Sequence, residues 1–209
     1  MPSGVRLVAI SKYHPISSIL EAYNSGQRLF GENHVQELVS KHDALPTDIE
    51  WHFTGHLQRN KVKYIVPFVS LIHSVDSLRL LDEIDRQGGK CGRVIPCLLE
   101  LHIANEESKY GFLPEELDNL LSSGKLKGYE HVSLRGLMCM ATNTDDEEQI
   151  EREFGYAKSV FDDLKSRYFA DDEGFCELSM GMSDDYSIAL RHGSTLIRVG
   201  TKIFGNREY

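Results

Sequence analysis

One lysine stands where an amine can do covalent chemistry. Lys12 closes the apolar run V-A-I-S-K, which puts its stem at the end of a buried strand and its amine at the edge of water. Partial desolvation there lowers an amine's pKa and frees the neutral form that attacks an aldehyde. A solvated lysine is the ordinary alternative, since lysine is rarely buried. Two further segments suit an anion: Ser179-Met180-Gly181-Met182-Ser183 and Arg198-Val199-Gly200-Thr201. Gly181 and Gly200 permit close backbone approach, and hydroxyls and helix-start amides donate to anions. Each segment alone also reads as a plain turn with capping residues. Other polar residues at the same level have bland readings. Asn33 in F-G-E-N suits a helix N-cap as well as a site. His56 suits a helix start, and Ser74 and Asp76 the cap region of the next helix. Met138 and Met140 suit barrel filling, and Trp51 and Phe53 packing.

The elements that must position these residues alternate. Apolar runs at 6–11, 28–31, 50–54, 69–74, 93–101, 134–140, 175–179 and 196–199 read as strands. Between them lie amphipathic stretches. Ile16, Ile19, Leu20 and Tyr23 form one helix face, ended by Gly26. Val35, Leu38 and Val39 mark the second helix, and 57–65 the third. Ser77 caps a helix that Gly88-Gly89 should close. Pro96 suits an edge or a bulge, and Pro114 the first turn of a helix. The strongest periodicity joins Ile150, Phe154, Ala157, Phe161, Leu164 and Tyr168. A helix over 184–192 precedes Gly193.

Eight strands with seven intervening helices predict a parallel sheet closed as a compact TIM-type (β/α)8 barrel. An open doubly wound sheet is the alternative, but no Gly-x-Gly-x-x-Gly follows the first strand. No linker or composition break divides residues 1–209, so a single domain is expected. In such barrels chemistry gathers at the C-terminal strand ends, and phosphates at the loops after strands seven and eight. The strand-end residues run from Lys12 and Asn33 through His56, Ser74, His102, Asn105 and Met140 to Ser179 and Thr201. A strand-one lysine with a strand-seven and strand-eight cradle is the layout for a phosphorylated aldehyde, a description that pyridoxal phosphate (PLP) fits. Seven helices leave the seam between strands eight and one under-covered, although parallel sheets need both faces buried.

Composition bounds the rest. The 209 residues carry 23 basic and 32 acidic side chains, a net charge of −9, which argues against nucleic acid as the main partner. No apolar run is long enough for a membrane helix, and the N-terminus lacks a signal-peptide core, so a cytoplasmic protein with no membrane partner is expected. The four cysteines form no Cys-x-x-Cys pair and read as reduced thiols. No His-Glu-x-x-His or Gly-x-Ser-x-Gly occurs, and no metal is expected.

These residues resemble the pyridoxal phosphate homeostasis protein family, a single-domain relative of the alanine racemase barrel. The matching segments are L-V-A-I-S-K at Lys12, F-G-E-N-H-V-Q-E at 30–37, W-H-F-T-G-H-L-Q-R-N-K at 51–61 and H-S-V-D-S at 73–77. L-R-G-L-M-C-M at 134–140, L-S-M-G-M-S-D-D at 178–185 and the stretch 193–209 complete the set. The resemblance implies that Lys12 carries PLP as a Schiff base. It also implies that Asn33, Ser179, Arg198, Gly200 and Thr201 line the cofactor site. It implies that Arg198 faces the pyridine nitrogen, with a phosphate counter-charge as the alternative role. His34 stands where the family usually has Tyr. The family's helix before strand one is missing, since only Met1 to Gly4 precede Val5, and an upstream helix is therefore expected in the natural protein.

Three functions compete. The first is a PLP carrier or buffer without fast turnover, a monomer that hands cofactor to apo PLP-dependent enzymes. The second is a PLP-dependent amino-acid racemase. That chemistry needs a base on each face of the substrate, and with the sequence ending at Tyr209, soon after strand eight, the second domain that supplies one in racemases is not expected. The third is a cofactor-free Schiff-base aldolase acting through Lys12, which would be colourless.

Overall fold

The computed structural model describes residues 2–104 and 110–205. Asn105 and residues 206–209 of the last matching segment lie outside that set. The strands are β1 Arg6–Ile10, β2 Leu29–Glu32, β3 Glu50–Phe53, β4 Leu71–Val75, β5 Ile95–Leu101, β6 Val132–Cys139, β7 Glu177–Ser179 and β8 Leu196–Val199. All pair in parallel with their sequence neighbours, and β1 pairs with β8, which closes the barrel. This is the expected (β/α)8 architecture. It follows from strands apolar on both faces: every residue of β4 and of β8 is buried.

Strand alternation divides the apolar residues between two compartments. Val8, Ile10, Leu29, Leu71, Leu98, Met138 and Leu196 fill the barrel interior, and Met140 packs on them from the mouth. Ala9, Trp51, Phe53, Ile72 and Leu99 face outward into the larger layer beneath the helices. The helices are α1 Ile16–Asn24, α2 Val35–Ala44, α3 Val62–Ile65, α4 Leu78–Cys91, α5 Pro114–Ser122, α6 Glu147–Tyr168, α7 Tyr186–Arg191 and α8 Thr201–Phe204. In α6 Ile150, Phe154, Ala157, Phe161 and Leu164 are all buried, with Val160 partly buried beside them. Asp146 accepts from Gln149 N at its start, and Lys165 and Arg167 complement the dipole at its end.

Several boundaries differ from expectation. α4 runs through Gly88 and Gly89 and stops at Gly92, whose φ of 64° is left-handed. The two glycines are there for contact: a Cβ on Gly88 would stand 2.8 Å from His131 Cβ. The expected third helix is a 3₁₀ turn, Arg59–Lys61, followed by the single turn of α3. β7 begins two residues late because Phe175 stacks on Phe161 and Phe169 instead. Pro114 is the first residue of α5, and a register shift follows Pro96, between Cys97 and Leu98. Ser77 holds the N-cap position of α4, but its hydroxyl donates to Asp76 and not to the helix.

The β8–β1 seam is partly covered by α8, a short helix that the sequence pattern did not reveal. Phe204 packs on the core and stacks on His14. Beside it a groove of about 640 Å³ stays open between Leu7, α1 and Ile203, where the expected gap lies. Among the described residues, no helix precedes β1, and no helix is long and apolar enough to cross a membrane.

Candidate functional site

The barrel mouth holds a cavity of about 260 Å³ above the apolar interior. Five of the six sequence-derived residues line it together: Lys12, Asn33, Arg198, Gly200 and Thr201. They come from β1, β2 and β8, three adjacent strands of the closed sheet. The sixth, Ser179, is wholly buried, behind Arg198 and outside the cavity lining. Alternation explains this: Ser179 is still in the strand, whereas Ser183, four residues later, sits in the loop and does line the cavity. Ile10, Thr54, Met140 and Met182 also line it.

Asn33 is not an N-cap. His34 takes that position, while Asn33 Oδ1 accepts from Thr54 Oγ1 at 3.0 Å. The Asn33 peptide is crowded by Gly55, where a Cβ would fall 2.3 Å from Asn33 O. Gly55 is therefore fixed by the close approach of the two strand-end loops. His56 is not a helix-start residue either. It pairs with Asp76 at 3.1 Å and stacks on Tyr110. Ser74 lies inside β4 with its hydroxyl buried and unpartnered among the described residues, so it caps nothing.

The two anion-type loops are pinned to each other. Gly200 N donates to Ser183 Oγ at 3.3 Å, and Arg198 N to Gly181 O at 2.9 Å. Gly181 has a φ of 93°, and a Cβ there would meet Ala189 Cβ at 2.6 Å. A Cβ on Gly200 would press to 3.1 Å from Ile10 O. The bare backbone thus leaves a cradle lined by Ser183 and Thr201 hydroxyls, a donor set suited to phosphate oxygens.

Arg198 is anchored from behind. Its Nη1 donates to Ser179 O and Oγ at 2.9 and 2.7 Å, and its Nη2 to Cys139 O at 2.9 Å. A guanidinium has five N–H groups, so Nε–H and one Nη2–H remain for the cavity. Burial pulls its pKa down, yet a guanidinium stays charged. Behind Ser179 runs a buried chain: Ser179 Oγ to His73 Nδ1 at 2.9 Å, then His73 Nε2 to His52 Nδ1 at 2.8 Å. Burial depresses both imidazoles, His52 to about 3, so the chain is neutral. His52 alternates with Trp51 and Phe53 in W-H-F, but the sequence gives no sign of its partner.

Glu100 is nine-tenths buried on β5, on the same inward face as Leu98. Burial and the nearby Asp76 push its carboxyl up to about 7, against the pull of Arg198. The buried thiols of Cys97 and Cys139 are raised, the latter to about 12, and are inert at neutral pH.

A closed parallel barrel with its polar residues at one mouth matches the alanine racemase N-terminal domain, whose family model covers residues 1–208. More narrowly, the chain belongs to the family of the pyridoxal phosphate homeostasis proteins. The Escherichia coli K12 protein of that name is 38% identical over 215 residues, covering all of this chain and 88% of its own. The solved structure of PipY from Synechococcus elongatus PCC7942, with PLP bound, superposes with a TM-score of 0.87 at 38% identity, over 98% of this chain and 94% of that one. An alanine racemase from E. faecalis shares the fold alone, with a TM-score of 0.71 and 14% identity over 54% of its chain.

Proposed function

We propose that this protein binds PLP at the barrel mouth and serves PLP homeostasis as a carrier or buffer. The observation that carries the reading is that Lys12 and the Ser183–Gly200–Thr201 cradle share one cavity. The donor set and the glycine-lined backbone fit a phosphorylated aldehyde. Bound there, PLP supplies an electrophilic carbonyl carbon and an electron-withdrawing ring. Lys12 offers the amine, Ser183 and Thr201 hold the phosphate, and Asn33 closes the β2 side. Arg198 would offer one of its two remaining N–H groups to the pyridine nitrogen. A guanidinium does not readily give up a proton, so beside it the ring would be a weak electron sink. Slow or absent amino-acid turnover follows. Apo PLP-dependent enzymes are the recipients this reading implies, with the protein acting as a cytoplasmic monomer. Four free cysteines suit a reducing compartment.

The test is the visible spectrum of the purified protein before and after borohydride. Wild type is expected to show a PLP band that reduction fixes to Lys12, and Lys12→Ala to lose both. A pyridoxyl adduct retained on another lysine would sink the assignment. Conversion of L-alanine to D-alanine at more than about one per second would defeat the carrier reading.

A further inference from the structure

Lys12 does not sit on a relaxed loop. Residues 11–14 form a turn closed by His14 N donating to Ser11 O at 3.0 Å. Tyr13, its third residue, has a φ of 67° and is the one described non-glycine residue with positive φ. That position in such a turn normally takes Gly or Asn, because a Cβ is crowded there. Something must hold the strained turn.

Both peptide groups that flank Lys12 are gripped by one buried ion cluster. Lys41 Nζ on α2 donates to Ser11 O at 2.7 Å, and Glu37 Oε1 accepts from Tyr13 N at 2.6 Å. The same Lys41 Nζ joins Glu37 Oε1 at 2.6 Å and Glu32 Oε1 at 2.7 Å. Glu32 in turn accepts from Ser11 Oγ at 2.6 Å. The Lys41 side chain is 6% exposed and that of Glu32 is fully buried. A buried lysine carries a desolvation cost that packing alone does not demand, and apolar replacements of such pairs are often tolerated. Here its three acceptors include the carbonyl next to Lys12. None of the three charged residues lines the cavity.

We propose that Lys41 and Glu37 are positioning residues that hold the strained 11–14 turn and thereby aim the Lys12 amine into the cavity. Lys41 fixes the peptide before Lys12 and Glu37 the peptide after it. Glu32 keeps Lys41 in place from the strand. The role rests on the reading of Lys12 as the attachment point.

The test compares Lys41→Met, Glu37→Ala and Tyr13→Gly with wild type, each first checked for folding by a thermal melt. The primary readout is the rate at which added PLP becomes borohydride-trapped on Lys12, read by peptide mass spectrometry. A misplaced amine is expected to slow trapping about ten- to hundred-fold in Lys41→Met and Glu37→Ala. Glycine relieves the turn, so Tyr13→Gly added to Lys41→Met should recover most of that loss. A purely structural ion pair predicts no such recovery. Trapping at the wild-type rate in the folded single variants, or no recovery in the double variant, overturns the proposal. Should Lys41→Met fail to fold, the half-buried Glu37 carries the same comparison. A second readout uses no PLP: trace acetylation of Lys12 across pH in the PLP-free protein. If wild type never attaches PLP to Lys12, the functional reading fails. The clamp then stands or falls on this profile, and a profile unchanged by Glu37→Ala overturns it.

Discussion

Ser179→Ala separates a buried support from a ligand. The substitution removes one hydroxyl, and with it the Arg198 Nη1 bond at 2.7 Å and the His73 Nδ1 bond at 2.9 Å. Arg198 keeps Ser179 O and Cys139 O, so its charge stays partnered. His73 keeps His52 but loses its second partner in a site with no exposure. A lost bond to a charged group costs about 1.5–3 kcal/mol, and a stranded buried polar atom about 1–3. The two overlap, because one oxygen serves both, and a net loss of about 2–4 kcal/mol is expected. For a chain of this size that is a fall of roughly 5–15 °C in melting temperature. Ser183→Ala in the same assay should melt near wild type, because its main loss is one long bond from Gly200 N. In PLP titrations the order reverses, Ser183→Ala weakening binding about five- to tenfold for one lost hydrogen bond. Should Ser179→Ala melt within a degree or two of wild type, or lose PLP affinity as Ser183→Ala does, the two-layer assignment is wrong.

Further outcomes follow from burial. Glu100 has a folded pKa near 7, above the ordinary carboxylate value, so its contribution is full below about pH 4.5 and lost as pH rises through 7. Glu100→Gln should therefore stabilise the protein at pH 8 by up to about 3 kcal/mol and converge with wild type near pH 4.5, read as melting temperature against pH. His52 and His73 behave oppositely: their pKa values are depressed, so their stability is present above about pH 6.5 and is lost as pH falls. Urea unfolding should show a loss approaching about 1.4 kcal/mol per pH unit from His52 alone as pH falls from about 6 to 4, with His73 adding in the same direction, and no loss beyond that of the carboxylates there would show that the two imidazoles are not depressed. Gly136→Ala should destroy the fold or cost more than about 4 kcal/mol, checked by soluble yield and melting. Its φ is 145°, and a Cβ would stand 1.8 Å from Glu177 O, at the β6–β7 pairing.

Much of the barrel was legible because parallel strands buried on both faces leave short apolar runs, as in L-I-H-S-V of β4. Residues just beyond a strand end share one cavity, as their position in the pattern suggests: Lys12, Asn33, Gly200 and Thr201 all line it. Ser179 was harder. Its type and neighbourhood match a ligand, but whether it or Ser183 meets the cavity depends on where β7 stops. α8 was invisible because four residues give no periodicity. The His52–His73–Ser179 chain joins residues 106 apart in sequence, a proximity that no local pattern encodes. The Lys41 cluster hid for a similar reason, since a lysine on a helix reads as solvated until its three acceptors are seen.

The plug of Val8, Leu29, Leu71, Leu98, Met138 and Leu196 closes the barrel axis below the cavity. Such interiors are packed solid, not channels. Among the described residues the cavity therefore opens at the mouth and is closed below. A molecule seated beside Lys12 would leave by the path it entered, so on the carrier reading a supplier and a recipient would take turns at the same rim. A recipient broad enough to cover the rim would shut out bulk water and competing amines for as long as it stays docked, which turns an open exchange into a private hand-over.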